Sequence, residues 1–339
     1  MEFKKKLGVN MEFQGRALFN LLKIQSEEDH TLIAKPYQVE NLRGLSTETL
    51  FDRLRKFGIH LDESAFHLYV ENCETPEELA DCLYLEDDHE LGELIYLLTF
   101  ELWRRLTPEK ESLSLFCDEL DYQISLFDKE QLEDEEPLQA LLDELETMLD
   151  EGVDGGLDDS EVLQTIEPYL AHDIETFLSD YILYLIENDQ ETYGSELIEG
   201  FYEYVKDKKW FDFLRLHSLY ASDPHEAEMM LERLIGELKE DPDSDLLLAL
   251  LDFLVPICES DLFYHTFSLA TKQIKTESDF LELSEICRAY FNGLDSDEEE
   301  KMIATYLLKR SFQESAILNQ NDPDLLKLQD LMTSKFESV

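Results

Sequence analysis

Apolar residues recur along this chain at spacings of three and four, the period of an α-helix with one buried face. In EPLQALLDELETML, Leu138, Leu141, Leu142, Leu145, Met148 and Leu149 fall on one stripe, with acids opposite. The same period runs through TLFDRLRKF, EAEMMLERLIGEL, DFLELSEICRAYF and KMIATYLLKRSF. Clear period-two alternation, the mark of a half-buried strand, does not occur. The one stretch with extended character is 31–39, TLIAKPYQV. Pro36 makes it an irregular connection, since proline cannot donate to a sheet ladder.

Helix starts are written into the polar residues. Thr75-Pro76-Glu77-Glu78 puts a capping hydroxyl, a proline at the first helical position and an acid at the third. Asp223-Pro224-His225-Glu226 repeats it, and Thr276 to Asp279 and Ser296 to Glu299 are variants. Thr107-Pro108 and Asp322-Pro323 predict two further starts. Beyond residue 170, breaks fall at 188–189, 206–208, 221–223, 241–242, 259–260, 276 and 292–293. Pairs of breaks lie about 34–38 residues apart, the scale of a two-helix unit.

The pattern predicts about 16 helices of roughly 10–17 residues. The expected fold is all-α, a multi-helix array of irregular helical hairpins, solenoid-like or HEAT-like, with a smaller N-terminal helical domain. Tetratricopeptide-type packing needs small residues at helix contacts, and Ala (13) and Gly (12) are too few for it. The expected domains are 1–127, an N-terminal helical domain; 128–161, an acidic linker or hinge; and 162–339, a C-terminal helical array.

Charge changes the picture next. The chain carries 28 Lys and Arg against 79 Asp and Glu, a net −51. Residues 1–60 are net +2, residues 61–200 net −38, and residues 201–339 net −15. A field of that sign repels nucleic-acid phosphates and attracts basic proteins and cations. Direct nucleic-acid binding is therefore not expected. Two greasy stretches, 91–106 and 246–258, contain Glu93, Glu101 and Asp252 and read as core helices, so no membrane span is expected. The N-terminus has no apolar run like that of a secretory signal. Five scattered cysteines with no CxxC pair, Cys73, Cys82, Cys117, Cys258 and Cys287, read as buried thiols in a reducing cytoplasm.

The candidate chemistry is concentrated at DEGVDGGLDDSE, residues 150–161. A twelve-residue calcium loop needs oxygens at positions 1, 3, 5, 7, 9 and 12 and a glycine at 6. Asp150, Asp154, Asp158 and Glu161 fill positions 1, 5, 9 and 12. Gly155 takes position 6, and the carbonyl of Gly156 takes position 7. The stretch resembles the EF-hand loop, and the resemblance implies Ca²⁺ as the ligand. It departs at position 3, which is Gly152, and no second loop of this form exists to pair with it. The competing reading is a glycine-softened acidic bend.

No phosphate-binding glycine loop, zinc pattern, metalloprotease helix or nucleophile elbow occurs. The Glu-x-x-His spacing of helical di-metal enzymes is also missing, so a metal-dependent enzyme built on carboxylates is disfavoured. His89 beside Glu86, Asp87 and Asp88 reads as a solvated helix start. Trp103-Arg104-Arg105 reads as an internal anchor for carboxylates, and Tyr202, Tyr204 and Tyr220 as candidates to line a partner groove. The expectation is a non-enzymatic interaction protein, an adaptor, chaperone or scaffold without a cofactor, whose acidic helical surface binds a basic or amphipathic protein. The alternative is a calcium-responsive regulator acting through residues 150–161. Mimicry of nucleic acid by carboxylates is a further reading.

Overall fold

The computed structural model describes residues 13–28, 34–84, 88–257, 260–310 and 316–336. Among these it contains seventeen α-helices, three 3-10 turns and no strand; one isolated bridge pairs Thr276 with Ile317. The fold is all-α, and adjacent helices pack in pairs. The chain divides into two compact units, Met1–Tyr181 with Gly200–Lys206, and Ile182–Glu199 with Asp207–Val339.

In the first unit, α1 (Ala17–Glu28) packs on α6 (Leu113–Asp128). Helices α2 (Thr47–Lys56) and α4 (Pro76–Leu83) both pack on α5 (His89–Leu106), and α3 (Glu63–Val70) lies between α2 and α4 in the chain. Helix α7 (Glu136–Asp154) packs on α6 and on α8 (Asp159–Ile166). The helix α9 (Ile174–Glu187) follows, and its residues from Ile182 onward belong to the second unit. The stripe read from α7 is the buried one: Leu138, Leu142, Leu145 and Leu149 are all fully buried. Each such leucine contributes roughly 1.5–3 kcal/mol of transfer free energy. The 31–39 stretch carries a 3-10 turn at Pro36–Gln38, with residues 31–33 outside the described set.

Helix α5 is the centre of this unit, with Ile95, Leu97, Leu98, Phe100, Leu102 and Trp103 buried. It also buries Glu101 completely. That carboxylate is tolerated because Arg104 and Arg105 both reach it, each at 2.6 Å. Arg105 also donates to the carbonyls of Leu42 and Arg43, at 3.0 and 3.1 Å, and so fixes the turn at Leu42–Gly44. The Trp-Arg-Arg segment is thus an internal anchor.

Thr107-Pro108 does not start a helix. Helix α5 ends there, the Thr107 hydroxyl donates to Trp103 O at 2.9 Å, and Ser112 caps α6 instead. Between them Lys110 folds back. Its ammonium donates to the carbonyls of Val70 (2.8 Å) and Cys73 (2.9 Å), and its own carbonyl takes the Trp103 indole N–H. These long-range bonds outweigh the local capping signal.

In the second unit, α10 (Glu191–Phe201, whose last two residues belong to the first unit) precedes a series of hairpins. Helix α11 (Lys208–Ser222) pairs with α12 (Pro224–Glu240), α13 (Ser244–Leu254) with α14 (Ser260–Gln273), and α15 (Glu277–Gly293) with α16 (Asp297–Lys309). The hairpins stack, α11 on α13, α12 on α14 and α13 on α15. Helix α17 (Pro323–Phe336) packs back onto α14 and α16. In α13, Leu246, Leu247, Leu248, Leu250, Leu251 and Leu254 are all buried, so this greasy stretch is a core helix. No described helix is long and apolar enough to cross a membrane.

The caps at Thr75, Asp223 and Asp322 each accept the expected backbone N–H. At α15 the Thr276 hydroxyl accepts from Asp279 N–H (3.1 Å), and Asp279 accepts in return from Thr276 N–H (3.0 Å). Ser296 departs from the pattern. It sits at the N-cap of α16, but its hydroxyl accepts from Lys335 Nζ at 2.7 Å and caps nothing.

The C-terminal hairpins are joined by one cation. Arg310 binds Glu277 with two bonds of 2.6 Å, Asp322 at 2.8 and 3.0 Å, and Asp324 at 3.1 Å, with its guanidinium over the Phe280 ring. All four charged side chains are largely buried. The Arg310 hydrogen bonds hold the Asp322 carboxyl below the usual carboxylate range, against the upward push of burial. Its folded pKa is therefore below its unfolded one. The stabilisation is complete above the unfolded value near 4 and is lost as pH falls through the lower, folded value.

Arg310→Met is expected to destabilise the protein by about 3 kcal/mol at pH 7, because three carboxylates are left together without their cation. Urea denaturation followed by circular dichroism measures it. The deficit should shrink near pH 3, where the stranded carboxylates take up protons; an equal deficit at both pH values would refute this role.

Candidate functional site

The acidic segment 128–161 is built from the end of α6, from α7 and from α8. Between Lys129 and Lys206 the sequence has no Lys or Arg and 24 Asp and Glu. The apolar stripe of α7 turns inward, which leaves Asp143, Glu144, Asp150, Glu151 and Asp154 exposed, and Asp158, Asp159 and Glu161 continue the exposed face onto α8. None of these eight forms an ion pair among the described residues. The crowding shows in the proton affinities. Burial first, and then the charges of Asp150 and Asp143, push the Glu146 carboxyl up; burial and Glu111 do the same to Glu144.

The stretch 150–161 is mostly helix. Asp150, Gly152 and Asp154 belong to α7, which ends in a tight turn: Gly155 N–H donates to Glu151 O (2.9 Å) and Gly156 N–H to Val153 O (2.9 Å). Gly156 has φ +102°, a backbone conformation that favours glycine. Asp158 is then the N-cap residue of α8, and Glu161 lies in its first turn. Asp150 accepts a hydrogen bond from the Tyr204 hydroxyl.

Gly152 has a packing reason. A Cβ there would lie 2.4 Å from Val162 Cγ2, so glycine lets α8 approach α7. The structure brings the five predicted positions close along the chain but does not gather them: among the described residues no group of three or more His, Cys, Asp or Glu is placed to hold a metal ion. For His89, Glu86 and Asp87 lie outside the described residues, and its ring nitrogen stands 3.2 Å from Glu93.

One titratable cluster escaped the sequence reading because its members are about fifty residues apart. Buried Asp121 on α6 accepts from the backbone N–H groups of Ala171 (3.0 Å) and His172 (3.2 Å) and contacts His172 Nδ1 at 2.8 Å. The other ring nitrogen lies 3.5 Å from the Ser125 hydroxyl and 3.7 Å from Asp128. Hydroxyl, imidazole and carboxylate stand in the order of a nucleophile, a base and its orienting acid. Ser125, however, lies inside α6, where the helix takes up the neighbouring backbone N–H groups that would otherwise stabilise an oxyanion. Asp121 with its two backbone bonds is well suited to tether the loop before α9.

Three of the described cysteines carry thiols raised by burial. Cys117 and Cys287 are buried, and burial pushes both thiols up; Cys73 is pushed to about 11 by burial, with Cys82 beside it. Cys82 departs from expectation in being exposed, and Cys258 lies outside the described residues. Of the three tyrosines considered for a groove, Tyr204 is buried and holds Asp150, and Tyr220 is partly exposed.

No protein-family model, curated protein or solved structure matches this chain.

Because Asp150 and Asp154 are held on a helix, calorimetric titration with Ca²⁺ is expected to give only weak heats, the same for the native protein and for Glu161→Gln. A saturable site that Glu161→Gln abolishes would establish a calcium loop.

Proposed function

We propose that this protein is a non-enzymatic, all-helical interaction protein that captures a basic or amphipathic protein segment on the α7–α8 face, as an adaptor, chaperone or scaffold does. The observation that carries the reading is the run of exposed carboxylates from Asp143 to Glu161 with no cation of their own. Like charges held on adjacent helical turns repel, and Asp150 and Asp143 add to burial in raising the Glu146 carboxyl. Lysines or arginines brought by a partner relieve that repulsion, so the face gains by association. The long-range field speeds the encounter with a basic partner and opposes nucleic acid. A reducing cytoplasm is the compartment we propose, supported by the free thiols of Cys73, Cys117 and Cys287 in apolar cores.

A synthetic amphipathic helix with lysines on one face is the probe, and fluorescence anisotropy the measurement. Neutralising Asp143, Glu144, Glu151 and Asp154 to their amides is expected to weaken binding about tenfold or more, equivalent to roughly 1.4 kcal/mol. Neutralising Asp297, Glu298, Glu299 and Glu300 on α16, the same change in charge, should have a much smaller effect. Equal losses would reduce the interaction to net charge and remove the face as its site.

A further inference from the structure

The first unit contains a polar cavity of about 230 Å³ between α1, the segment 38–43 and α6. In a chain of net charge −51, four cations line it, Arg16, Lys23, Arg43 and Lys129, together with four carboxylates, Glu27, Glu40, Asp118 and Asp121; Glu40 is held by Arg53, and Asp121 by the backbone at 171–172. Two of the cations are occupied. Arg43 binds Asp118 and Glu119, both at 2.7 Å, and lies over the Tyr122 ring at 4.1 Å. Lys129 pairs with Glu27.

The other two are less well matched, although Arg16 also lies over the Phe100 ring at 5.2 Å. The Arg16 side chain is only 11% exposed, yet Asp118 Oδ1 is 3.6 Å from its Nε, too far for a good hydrogen bond. Its Nε and Nη1 are buried and have no acceptor among the described residues. Asp118 cannot turn fully to Arg16, because it also accepts from Arg43 and from Asn20 (3.1 Å). Lys23 makes no side-chain hydrogen bond or ion pair among the described residues, although it is half-buried. Burial lowers its proton affinity; Glu27 opposes the shift, and Lys129, Arg16 and Arg43 reinforce it.

The backbone fixes this arrangement. Gly15 has φ +53°, and a Cβ there would lie 2.8 Å from Ser114 Cβ. Gln14 N–H donates to Pro168 O at 2.8 Å. Arg16 therefore enters the cavity from an anchored turn and not from a free end.

The Arg16 donors are packed against protein and add charge from the wall, whereas the half-buried Lys23 ammonium has no acceptor among the described residues; an anion beside it forms a charge-assisted bond in a low-dielectric site. We propose that this cavity binds a small oxyanion, inorganic phosphate or a compact molecule bearing a phosphate or carboxylate group, with Lys23 as the principal donor, Arg16 supplying charge from the wall and Lys129 at its edge. The volume lies below the roughly 300–1,000 Å³ of sites for larger organic ligands, which excludes a whole nucleotide. The site is separate from the acidic face proposed for protein binding and does not depend on it.

The test uses the full-length protein at constant ionic strength, with inorganic phosphate and acetate as probes, read by calorimetry and by the ³¹P line width. One saturable site is expected, and Lys23→Gln should weaken it about tenfold, as loss of one charge-assisted bond does. Lys35→Gln, the same charge change at an exposed residue paired with Glu90, should leave it unchanged. Saturation by phosphate and not acetate selects a phosphate ligand; the reverse selects a carboxylate. Arg16→Gln should weaken binding in the same direction, through lost charge, if it folds, and Lys23→Gln decides the matter if it does not. The variant with Asp143, Glu144, Glu151 and Asp154 neutralised should bind the anion normally. No saturable binding by either probe, or binding indifferent to Lys23→Gln, would overturn the proposal.

Discussion

Cations are scarce in this chain, and their placement governs both what the fold can bury and what its surface can do. Each of several arginines sits where it neutralises more than one acid. Arg310 joins Glu277, Asp322 and Asp324. Arg43 joins Asp118 and Glu119. Arg104 and Arg105 together make it possible for Glu101 to be fully buried in α5. The guanidinium suits this task because its planar fork offers several donors at fixed angles and does not lose its charge when desolvated. With the arginines drawn to these junctions, residues 130–205 contain no Lys or Arg of their own; Lys206 and Arg215 reach Glu167 and Glu199, and the exposed carboxylates of α7 and α8 are left without an ion pair among the described residues. The acidic face is in this sense a consequence of how the interior is held together.

The cohesion itself comes from leucine and phenylalanine. A protein with a net charge of −51 pushes itself apart, and ion pairs at the surface contribute little against that. The buried stripes supply the opposing term: Leu138 to Leu149 in α7, the six buried leucines of α13, and Phe263 stacked on Tyr290 at 3.7 Å in the second unit. Helices suit this division, because each segregates apolar and charged residues onto opposite sides without exposing its backbone. The i to i+2 stacking from α11 to α15 then buries the second side of the inner helices.

Much of this was legible in the sequence, because helix period and capping are local. Thr75, Asp223, Thr276 and Asp322 read correctly from three or four neighbouring residues. The failures occur where a distant residue decides the outcome. Thr107-Pro108 has the form of a helix start, but Lys110 is tied to carbonyls some forty positions earlier. Ser296 is committed to Lys335. The 150–161 stretch is a different case: the spacing of acids fits a cradle and a glycine-softened bend alike, and the structure adds that the glycine at 152 meets Val162 and the acid at 150 holds Tyr204. A ligand pattern and a helix-packing pattern can share the same letters, and only the partners separate them. The cavity was invisible for the same reason, since Asn20 and Asp118 are 98 positions apart.

An anion site inside so acidic a protein is a matter of range. At physiological salt, charges more than about 8 Å away are largely screened, so the carboxylates of α7 and α8 act weakly on a ligand enclosed between α1 and α6. Burial works the other way at short distance, where low polarisability strengthens each bond from a guanidinium or ammonium. The outcome at Asp118 illustrates the local sign of the field. Full burial would raise its proton affinity, yet Arg16 and Arg43 hold the carboxyl below its ordinary range. The same cations that keep Asp118 ionised repel one another around Lys23. A small anion placed among them would lower that repulsion while leaving the Asp118 bonds in place.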